Sequence, residues 1–383
     1  MKSVDVHSKL PHIGTNIFTT MSGLAAQYNA VNLAQGFPDF EVPSYLIERV
    51  THHMISGKNQ YAPMAGILSL REKLATKYAS VYGTSFDPVE EITITCGATE
   101  ACFSAITALI QAGDEVIIIE PAFDCYEPAI ILNGGKPVFV KTIYPDFKIN
   151  WNEVEAAITS KTRLLILNSP HNPTGTIFTK EDVNALREVL QRHDILVLSD
   201  EVYEHMVFDG APHYCLAADP FIREKIVTVG SFGKTYHATG WRLGFCAAPA
   251  HLMKEFRKVH QYNTFSAVTP IQHAVSDMLD DTDWHHNLSS FFQSKRNYFL
   301  NLIKHSGFKA VATKGTYFQL LSYAALSDKK EMEMAEWMVK EMKLAAIPVS
   351  VFYNDKTEQQ ILRFCFAKKD ETLQQAAEIL CKI

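Results

Sequence analysis

The sequence lacks the features of membrane and secreted proteins. No apolar run approaches the roughly 18 residues that a membrane span needs, and the N-terminal stretch MKSVDVHSKLPHIG has neither an apolar core nor a small-residue cleavage site. The 7 cysteines form no CxxC pair, and an odd, scattered set indicates reduced thiols rather than a disulfide framework. We therefore expect a cytoplasmic protein with no membrane partner.

Excess positive charge and metal-ligand spacings are also missing. The net charge is −6 and the pI is near 6.2, which argues against nucleic acid as a partner. Although there are 15 histidines, there is no HExxH pattern, so we expect no metal site. With 383 residues, 47% of them hydrophobic, the chain can bury a large core and suggests about two domains.

Apolar segments and helical patterns alternate along most of the chain. Helical patterns at 99–111 and 180–192 fall between short apolar runs, which is typical of a parallel sheet covered by helices. The runs predict seven strands, at 92–96, 115–119, 137–141, 163–167, 195–199, 226–229 and 243–248. We therefore predict an α/β large domain over 42–280 with a mostly parallel seven-stranded sheet.

The pattern changes after residue 280. A long helical stretch is followed by short strands around 316–322 and 361–366 and by a closing helix from 370. These elements predict a smaller α+β domain over 281–383. The segment 1–41 is too short to be a domain, so we expect it to pack on another part of the chain and group it with the smaller domain.

The segment SFGKTYHATGWRLG, residues 231–244, places Lys234 between two anion binders, Ser231 and Arg242. This arrangement can hold pyridoxal phosphate (PLP), because the amine can bond to the aldehyde while the hydroxyl and the guanidinium bind the phosphate. Taken alone, this segment is also compatible with a lysine that is solvated on the surface and has no catalytic role. A P-loop is disfavoured because Thr228 stands where GxxxxGK[ST] needs its first glycine, and an SxxK acyl enzyme lacks its partner motifs.

Polar residues follow several predicted strands, at the edge where open α/β sheets bind ligands. Gly97, Ala98 and Thr99 join a strand to a helix, so free backbone N–H groups would face an anion there. Asp200 ends another strand and is either an ordinary helix N-cap or the partner of a pyridinium nitrogen. Asn172 can present its amide at the same edge.

Several motifs together resemble a known family. The sequence is similar to the class I aminotransferases of PLP fold type I, in particular to the group of bacterial methionine aminotransferases, glutamine transaminase K and kynurenine aminotransferase I. The likeness covers nearly the whole chain and rests on NLAQGFPDF, NQYAPMAG, EPAFDCYEP, NSPHNPTG, SDEVYEHMVFDG, GKTYHATGW, AAIPVSVF and LRFCFAKKD. It implies a homodimeric PLP enzyme that binds an amino-acid donor and an α-keto acid acceptor.

The resemblance also implies roles in cofactor binding. Lys234 corresponds to the lysine that bonds to PLP and moves the substrate proton, and Asp200 corresponds to the pyridinium partner. Asn172 and Tyr203 correspond to the pair that holds the phenolic oxygen, with Tyr203 counted among the catalytic residues. Phe123 takes the place of the aromatic ring that stacks on the pyridine.

The phosphate group has its own expected residues. Ser231, Arg242 and the backbone amides of Ala98 and Thr99, next to Gly97, correspond to the phosphate cup. A tyrosine, Tyr61, resembles one that reaches the phosphate of the neighbouring subunit, so the resemblance implies active sites shared across a homodimer.

The expected substrate site binds a carboxylate and a neutral side chain. Arg363 corresponds to the arginine that grips the α-carboxylate, and Asn172 and the backbone at Gly36 are expected to complete that site. No arginine occurs at 260–272, where aspartate aminotransferases use one for a side-chain carboxylate. Phe18 and Phe265 are expected to line the pocket, which would then suit methionine, glutamine or aromatic amino acids.

Two further aromatic residues and the type of reaction can also be predicted. For Phe37 and Tyr317 we favour an ordinary place in the core. The predicted activity is a ping-pong transamination. A PLP-dependent cysteine-conjugate β-lyase stays open as an alternative because it shares the fold and the lysine, whereas a P-loop nucleotide hydrolase and a DNA-binding regulator of the same fold are disfavoured.

Overall fold

A computed structural model describes residues 6–383. The helices are α1 Ile17–Gln27, α2 Ser44–Ile55, α3 Leu68–Tyr82, α4 Ala98–Leu109, α5 Tyr126–Leu132, α6 Trp151–Ala156, α7 Lys180–Arg192, α8 Pro220–Arg223, α9 Phe232–Thr235, α10 Ala250–Asn263, α11 Thr269–Met278, α12 Thr282–Leu302, α13 Glu331–Trp337 and α14 Asp370–Leu380. The strands are β1 Val31–Asn32, β2 Ile92–Thr95, β3 Glu115–Glu120, β4 Lys136–Lys141, β5 Thr162–Asn168, β6 Leu196–Asp200, β7 Ile226–Ser231, β8 Gly244–Ala247, β9 Lys309–Ala310, β10 Phe318–Ser322, β11 Leu344–Ala345, β12 Ile347–Pro348 and β13 Ile361–Cys365.

A seven-stranded sheet forms the centre of the larger part of the chain. Its strand order is β2-β8-β7-β6-β5-β3-β4, and β8 runs antiparallel to both of its neighbours while the other pairs are parallel. All seven predicted strands are present, so the predicted mostly parallel sheet is confirmed. The sequence did not distinguish β8 by direction, because a strand buried on both faces has the same apolar run in either orientation.

Helices cover both faces of this sheet. Alternate residues of β3 point to opposite faces: Ile117 and Ile119 join the core beneath α3, α7 and α11, whereas Val116 and Ile118 join the core beneath α4, α5 and α10. Both cores are buried from solvent, which explains why the strands appear in the sequence as continuous apolar runs rather than as alternating ones.

The smaller part of the chain has its own sheet and core. Its antiparallel strands have the order β12-β13-β10-β9 and pack on α12, α13 and α14. The sequence analysis predicted β10 and β13 but neither β9 nor β12. The N-terminal segment joins this core through Met21 and Leu33, and β1 pairs with β11. This packing supports the proposed division into 42–280 on one side and 1–41 with 281–383 on the other.

The strand ends bring distant parts of the sequence together. β6 ends at Asp200, β7 ends at Ser231 just before α9 with Lys234, and α4 begins directly after β2. β13 of the smaller part carries Arg363. No helix among residues 6–383 combines the length and the apolar character that crossing a membrane requires.

Candidate active site

A cavity of about 270 Å³ lies at the carboxyl edge of the large sheet. Its walls come from both parts of the chain, and they include most of the site residues expected from the sequence. The lining consists of Phe18, Gln35, Gly36, Ala98, Thr99, Cys102, Phe123, Asn168, Asn172, Asp200, Val202, Tyr203, Ser231, Lys234, Arg242, Phe318 and Arg363.

One end of the cavity is built to bind an anion. Helix α4 starts after Gly97 without a side-chain cap, so the N–H groups of its first turn, including those of Ala98 and Thr99, face the cavity with the positive end of the helix dipole. Arg242 and Ser231 line the same end. A Cβ at Gly97 would lie 2.8 Å from Nη2 of Arg242, so the absence of a side chain there leaves room for the guanidinium. These groups fit a phosphate.

A buried carboxyl group also lines the cavity. Asp200 is 5% exposed, and burial raises its pKa. The Tyr126 hydroxyl donates to Oδ2 at 2.7 Å, and the Val202 N–H donates to Oδ1 at 3.2 Å, and both bonds oppose the rise in pKa by favouring the ionised form. A buried carboxyl group with these two donors fits a partner with positive charge, such as a pyridinium nitrogen, which would favour its ionised form.

Lys234 projects from the short helix α9 into the cavity. Its Nζ donates to the Tyr317 hydroxyl at 2.7 Å and to the Gly36 carbonyl at 3.3 Å, and Tyr317 in turn donates to the same carbonyl at 2.6 Å. Burial lowers the pKa of Lys234 to about 8, and the nearby Arg363 and Arg242 also act in that direction. A lysine with this pKa is partly neutral near physiological pH, which is the form that acts as nucleophile and base.

A buried arginine faces the cavity from β13. Arg363 is 1% exposed, and burial lowers its pKa to about 10. Its Nη1 donates to Asn172 Oδ1 at 2.7 Å and its Nη2 donates to the Ala34 carbonyl at 3.2 Å, which are both neutral acceptors. Within the described residues its Nε has no partner. Because a buried charge needs compensation, this guanidinium fits the carboxylate of a ligand.

Aromatic rings surround these charged groups. The Arg363 guanidinium carbon lies 3.9 Å from the ring centre of Phe318 and 5.0 Å from that of Phe18. Tyr203 is buried, which raises its pKa, and its ring packs edge-on against Tyr317 with centroids 5.2 Å apart. Phe123 lines the cavity as expected for a stacking ring.

Some expected residues lie outside the cavity. Phe265 was expected to line the pocket, but it is 42% exposed and packs edge-on against Tyr61, which is 84% exposed, with ring centroids 5.4 Å apart. Both lie on the surface outside the cavity. The expectation that Phe37 belongs to the core is wrong, because its side chain is 44% exposed.

The sequence analysis missed two residues that contact the site. Tyr126 stands inside the quoted motif EPAFDCYEP, and its proximity to Asp200 follows from the pairing of β3, β5 and β6, which the sequence did not specify. Tyr317 was assigned to the core and is fully buried, but its hydroxyl bonds to Lys234. The available signal was a tyrosine near the start of the predicted strand 316–322. No group of three or more potential metal ligands occurs within the described part of the chain.

Comparisons with known proteins agree on one family. The sequence model for aminotransferase class I and II matches residues 28–380. The chain is 48% identical to methionine aminotransferase of Escherichia coli, with 97% of each chain covered, and 37% identical to kynurenine–oxoglutarate transaminase 3 of Rattus norvegicus, with 97% and 88% covered. A solved structure of YbdL from Escherichia coli, described as having a methionine aminotransferase function, superposes with a TM-score of 0.97 at 47% identity and covers 100% of both chains.

Proposed function

The chain belongs to the class I and II aminotransferases, enzymes of PLP fold type I, and we propose that it transfers the amino group of a neutral sulfur-containing or aromatic amino acid to an α-keto acid. Methionine is the first donor to test, because a relative 48% identical over nearly the whole chain is a methionine aminotransferase. The kynurenine–oxoglutarate transaminases among the relatives extend the proposed donors to aromatic amino acids.

The observation that carries this proposal is the pairing of two cations in one cavity. Lys234 is an amine with a lowered pKa, and Arg363 is a buried guanidinium bonded to neutral acceptors. An enzyme that acts at the α-carbon of an amino acid needs a base near that carbon and a grip on the adjacent carboxylate. We propose that Arg363 binds the carboxylate, assisted by Asn172, and that the Gly36 carbonyl borders the same site.

The cavity residues fit PLP. Arg242, Ser231 and the first amides of α4 would hold the phosphate, and Asp200 would pair with the pyridine nitrogen. Phe123 would stack on the ring, while Asn172 and Tyr203 would hold the phenolic oxygen. Bound PLP supplies an aldehyde carbon that takes up an amino group and a ring that accepts the electron pair released at the substrate Cα.

Lys234 has two tasks in the proposed reaction. Its Nζ would hold the cofactor before substrate arrives and, once freed, would act as the base that takes the proton from the substrate Cα. The Tyr317 hydroxyl, 2.7 Å from Nζ, keeps the amine in place during this exchange. Asp200 would stabilise positive charge on the ring nitrogen of the cofactor. Because the amino group would stay on the enzyme after the first product leaves and before the keto acid binds, the kinetics should be ping-pong.

A neutral side chain suits the rest of the pocket. Among the described residues that line the cavity, the cationic side chains are Lys234, Arg242 and Arg363, and each already has a proposed partner. A second substrate carboxylate would be desolvated without a cation, which is costly. The rings of Phe18 and Phe318 instead offer an apolar, polarisable surface for methionine or an aromatic amino acid.

We also propose that two copies of the chain form a homodimer. Tyr61 is 84% and Tyr262 is 86% exposed, and the neighbouring Phe265 and Ile55 are also exposed. Large exposed apolar side chains gathered in adjacent segments mark interaction surfaces. In the dimer Tyr61 would reach the phosphate end of the neighbouring subunit's cavity, and Phe265 would approach its substrate pocket.

A reducing cytoplasm is the compartment that we propose. All seven cysteines are free thiols, and disulfides form mainly in oxidising compartments. Four of them, Cys102, Cys215, Cys246 and Cys365, are buried, where a small apolar side chain packs well.

Steady-state kinetics with a panel of donors tests the function. We expect methionine, glutamine and phenylalanine to react with several keto acids, and aspartate and glutamate to react poorly. A preference for aspartate or glutamate would overturn the substrate proposal. Release of pyruvate and ammonia from a cysteine conjugate would instead identify the β-lyase alternative.

Spectroscopy of one variant tests the role of the lysine. The wild-type holoenzyme should show a visible absorbance band that bleaches when methionine is added. Lys234→Ala should lack the wild-type band and lose nearly all turnover. The assignment of Lys234 is wrong if that variant keeps both, and Lys329→Ala, which removes an exposed lysine, is the matched control.

A further inference from the structure

A second cavity of about 700 Å³ lies at the same carboxyl edge of the large sheet. Its inner walls are the buried side chains of Ile118 on β3, Ile166 on β5 and Phe178 ahead of α7. The loop after β4 and Lys314 of the smaller part close the outer side. Open α/β sheets bind ligands at this edge, and small-molecule pockets commonly measure about 300–1,000 Å³.

The interior of this cavity suits an uncharged, apolar group. His171 lines it and bonds through Nδ1 to the Thr174 hydroxyl at 2.7 Å, and burial lowers the pKa of His171 to about 4, so the ring is neutral at pH 7. The Thr142 hydroxyl donates to the Glu120 carbonyl at 2.8 Å. Because these polar groups already have partners, the part of a ligand that enters needs no charge or hydrogen bond of its own.

Two ammonium groups with only weak ion-pair partners lie at the rim of this cavity. The Lys148 side chain is 82% exposed and reaches Asp146 at 3.9 Å, and the Lys314 side chain is 53% exposed and reaches Asp209 at 3.6 Å. Both separations are longer than a charge-assisted hydrogen bond of about 2.7–2.9 Å. Each ammonium group can therefore turn to an anion at the mouth of the cavity.

The carboxylates of the rim near α7 are already engaged. Asp182 accepts from the Trp151 indole N–H at 2.9 Å and from the Thr179 backbone N–H at 2.8 Å as part of a capping box. Glu181 lies in the first turn of α7, where bonds from its own backbone N–H and from Thr179 lower its pKa. These two carboxylates serve the start of the helix, which leaves Asp146 as the remaining carboxylate of the rim, 3.9 Å from the Lys148 ammonium group.

Two side chains connect the second cavity to the catalytic one. Tyr126 lines the second cavity, and its hydroxyl donates to Asp200 Oδ2 at 2.7 Å. Asn168 lines both cavities, and its amide donates to the Asp200 carbonyl at 2.8 Å. A ligand in the second cavity would therefore contact the residues that position Asp200.

We propose that the second cavity is a regulatory site for a small monocarboxylate with an apolar aromatic or branched body, whose carboxylate meets Lys148 or Lys314 and whose body enters the sheet edge. The α-keto acids that the proposed transamination would release from aromatic donors belong to this class, so this choice of ligand rests on the proposed function. Occupancy changes turnover through Tyr126 and Asn168.

Inhibition kinetics with 3-phenylpropanoate test the proposal in the holoenzyme. This probe has no keto group and cannot accept an amino group, although it can compete at Arg363. We expect it to change kcat in the wild type with methionine and the keto acid both saturating, a condition that removes competition at Arg363 in both half-reactions. The double variant Lys148→Met/Lys314→Met and the cavity-filling variant Ala211→Trp should lose this effect, with binding at least tenfold weaker, and keep the competitive part.

Matched controls and a binding measurement complete the test. Lys329→Met and Ala79→Trp change exposed residues away from the cavity and should behave as the wild type. In Arg363→Met, calorimetry should show one bound probe per protomer, and adding the two lysine changes should weaken that binding at least tenfold. Purely competitive inhibition in the wild type, or an unchanged effect in both cavity variants, overturns the proposal.

The calorimetric result does not depend on transamination. If the donor panel fails while the probe still binds in Arg363→Met and needs the two lysines, the proposed function is wrong and the site is retained. If the donor panel succeeds and the probe shows only competition with methionine, the regulatory site is wrong and the proposed function is retained.

Discussion

Removing one hydroxyl group, in Tyr126→Phe, tests whether Asp200 controls the chemistry. The Tyr126 hydroxyl donates to Asp200 Oδ2 at 2.7 Å, and both residues are buried. The substitution keeps the ring and its packing but removes a donor that favours the ionised carboxylate. The pKa of Asp200, already raised by burial, should rise further. A protonated Asp200 no longer stabilises positive charge on the cofactor's ring nitrogen.

The size of the effect follows from the hydrogen bond. A bond to a charged group contributes about 1.5–3 kcal/mol, and 1.4 kcal/mol corresponds to about a tenfold change in rate. If the carboxylate is needed mainly while electrons move from the substrate to the ring, kcat should fall about tenfold or more. KM for methionine should change little, because Arg363, which we propose binds the carboxylate, keeps both of its bonds.

Single-turnover absorbance measurements read this step directly. The holoenzyme is mixed with methionine, and the decay of the visible band gives the rate of the first half-reaction. A pH titration of that band should also shift in Tyr126→Phe, which a loss of stability alone would not cause.

Tyr78→Phe is the matched control. Tyr78 is 1% exposed, and its hydroxyl has no hydrogen-bond partner within residues 6–383. Removing an unsatisfied hydroxyl should be neutral or stabilising. The reasoning fails if Tyr126→Phe keeps kcat within about twofold of the wild type, or if Tyr78→Phe loses as much.

Three further substitutions have defined outcomes. Burial raises the pKa of Glu120 from 4.5 to about 7, so between these values the folded state holds a proton that the unfolded chain releases. The free energy of unfolding therefore falls as pH rises through this window. In Glu120→Gln, Tm measured by calorimetry should depend less on pH over the same window. Gly97 has φ +82° and no room for a Cβ beside Arg242, so Gly97→Ala should lower Tm and weaken PLP binding to the apoenzyme in titrations. Lys77 lies 2.5 Å from the buried Glu204, so Lys77→Met should cost about 3–5 kcal/mol in urea unfolding, and adding Glu204→Gln should restore most of it.

The fold was predictable where burial alone determines the pattern. Strands such as β3 and β6 are covered on both faces, so each appears as an unbroken apolar run at the predicted position. The short strands β9 and β12 have two residues each and leave no periodic signal. The antiparallel direction of β8 depends on its neighbours β2 and β7, which a local pattern does not record.

The candidate site was predictable where a residue stands in a motif at a strand end. Asp200, Ser231 and Lys234 were found in this way, because the ends of parallel strands share one edge of the sheet. The contacts of Tyr126 and Tyr317 with the site were not predicted. The Tyr126 hydroxyl reaches Asp200 across the sheet, and the Tyr317 hydroxyl reaches Lys234 from the other part of the chain. Such contacts depend on strand order and domain packing, which spacing in one sequence does not specify.

Charge balance in the catalytic cavity connects these observations. The cationic groups Lys234, Arg242 and Arg363 and the positive end of α4 face the single carboxylate Asp200 among the described lining residues. A bound phosphate and one substrate carboxylate offset this excess, and each has a separate set of donors. A second substrate carboxylate would leave an anion without a partner between buried aromatic rings. The same excess of positive charge that favours PLP and an α-carboxylate therefore disfavours an acidic side chain, because each cation is already committed.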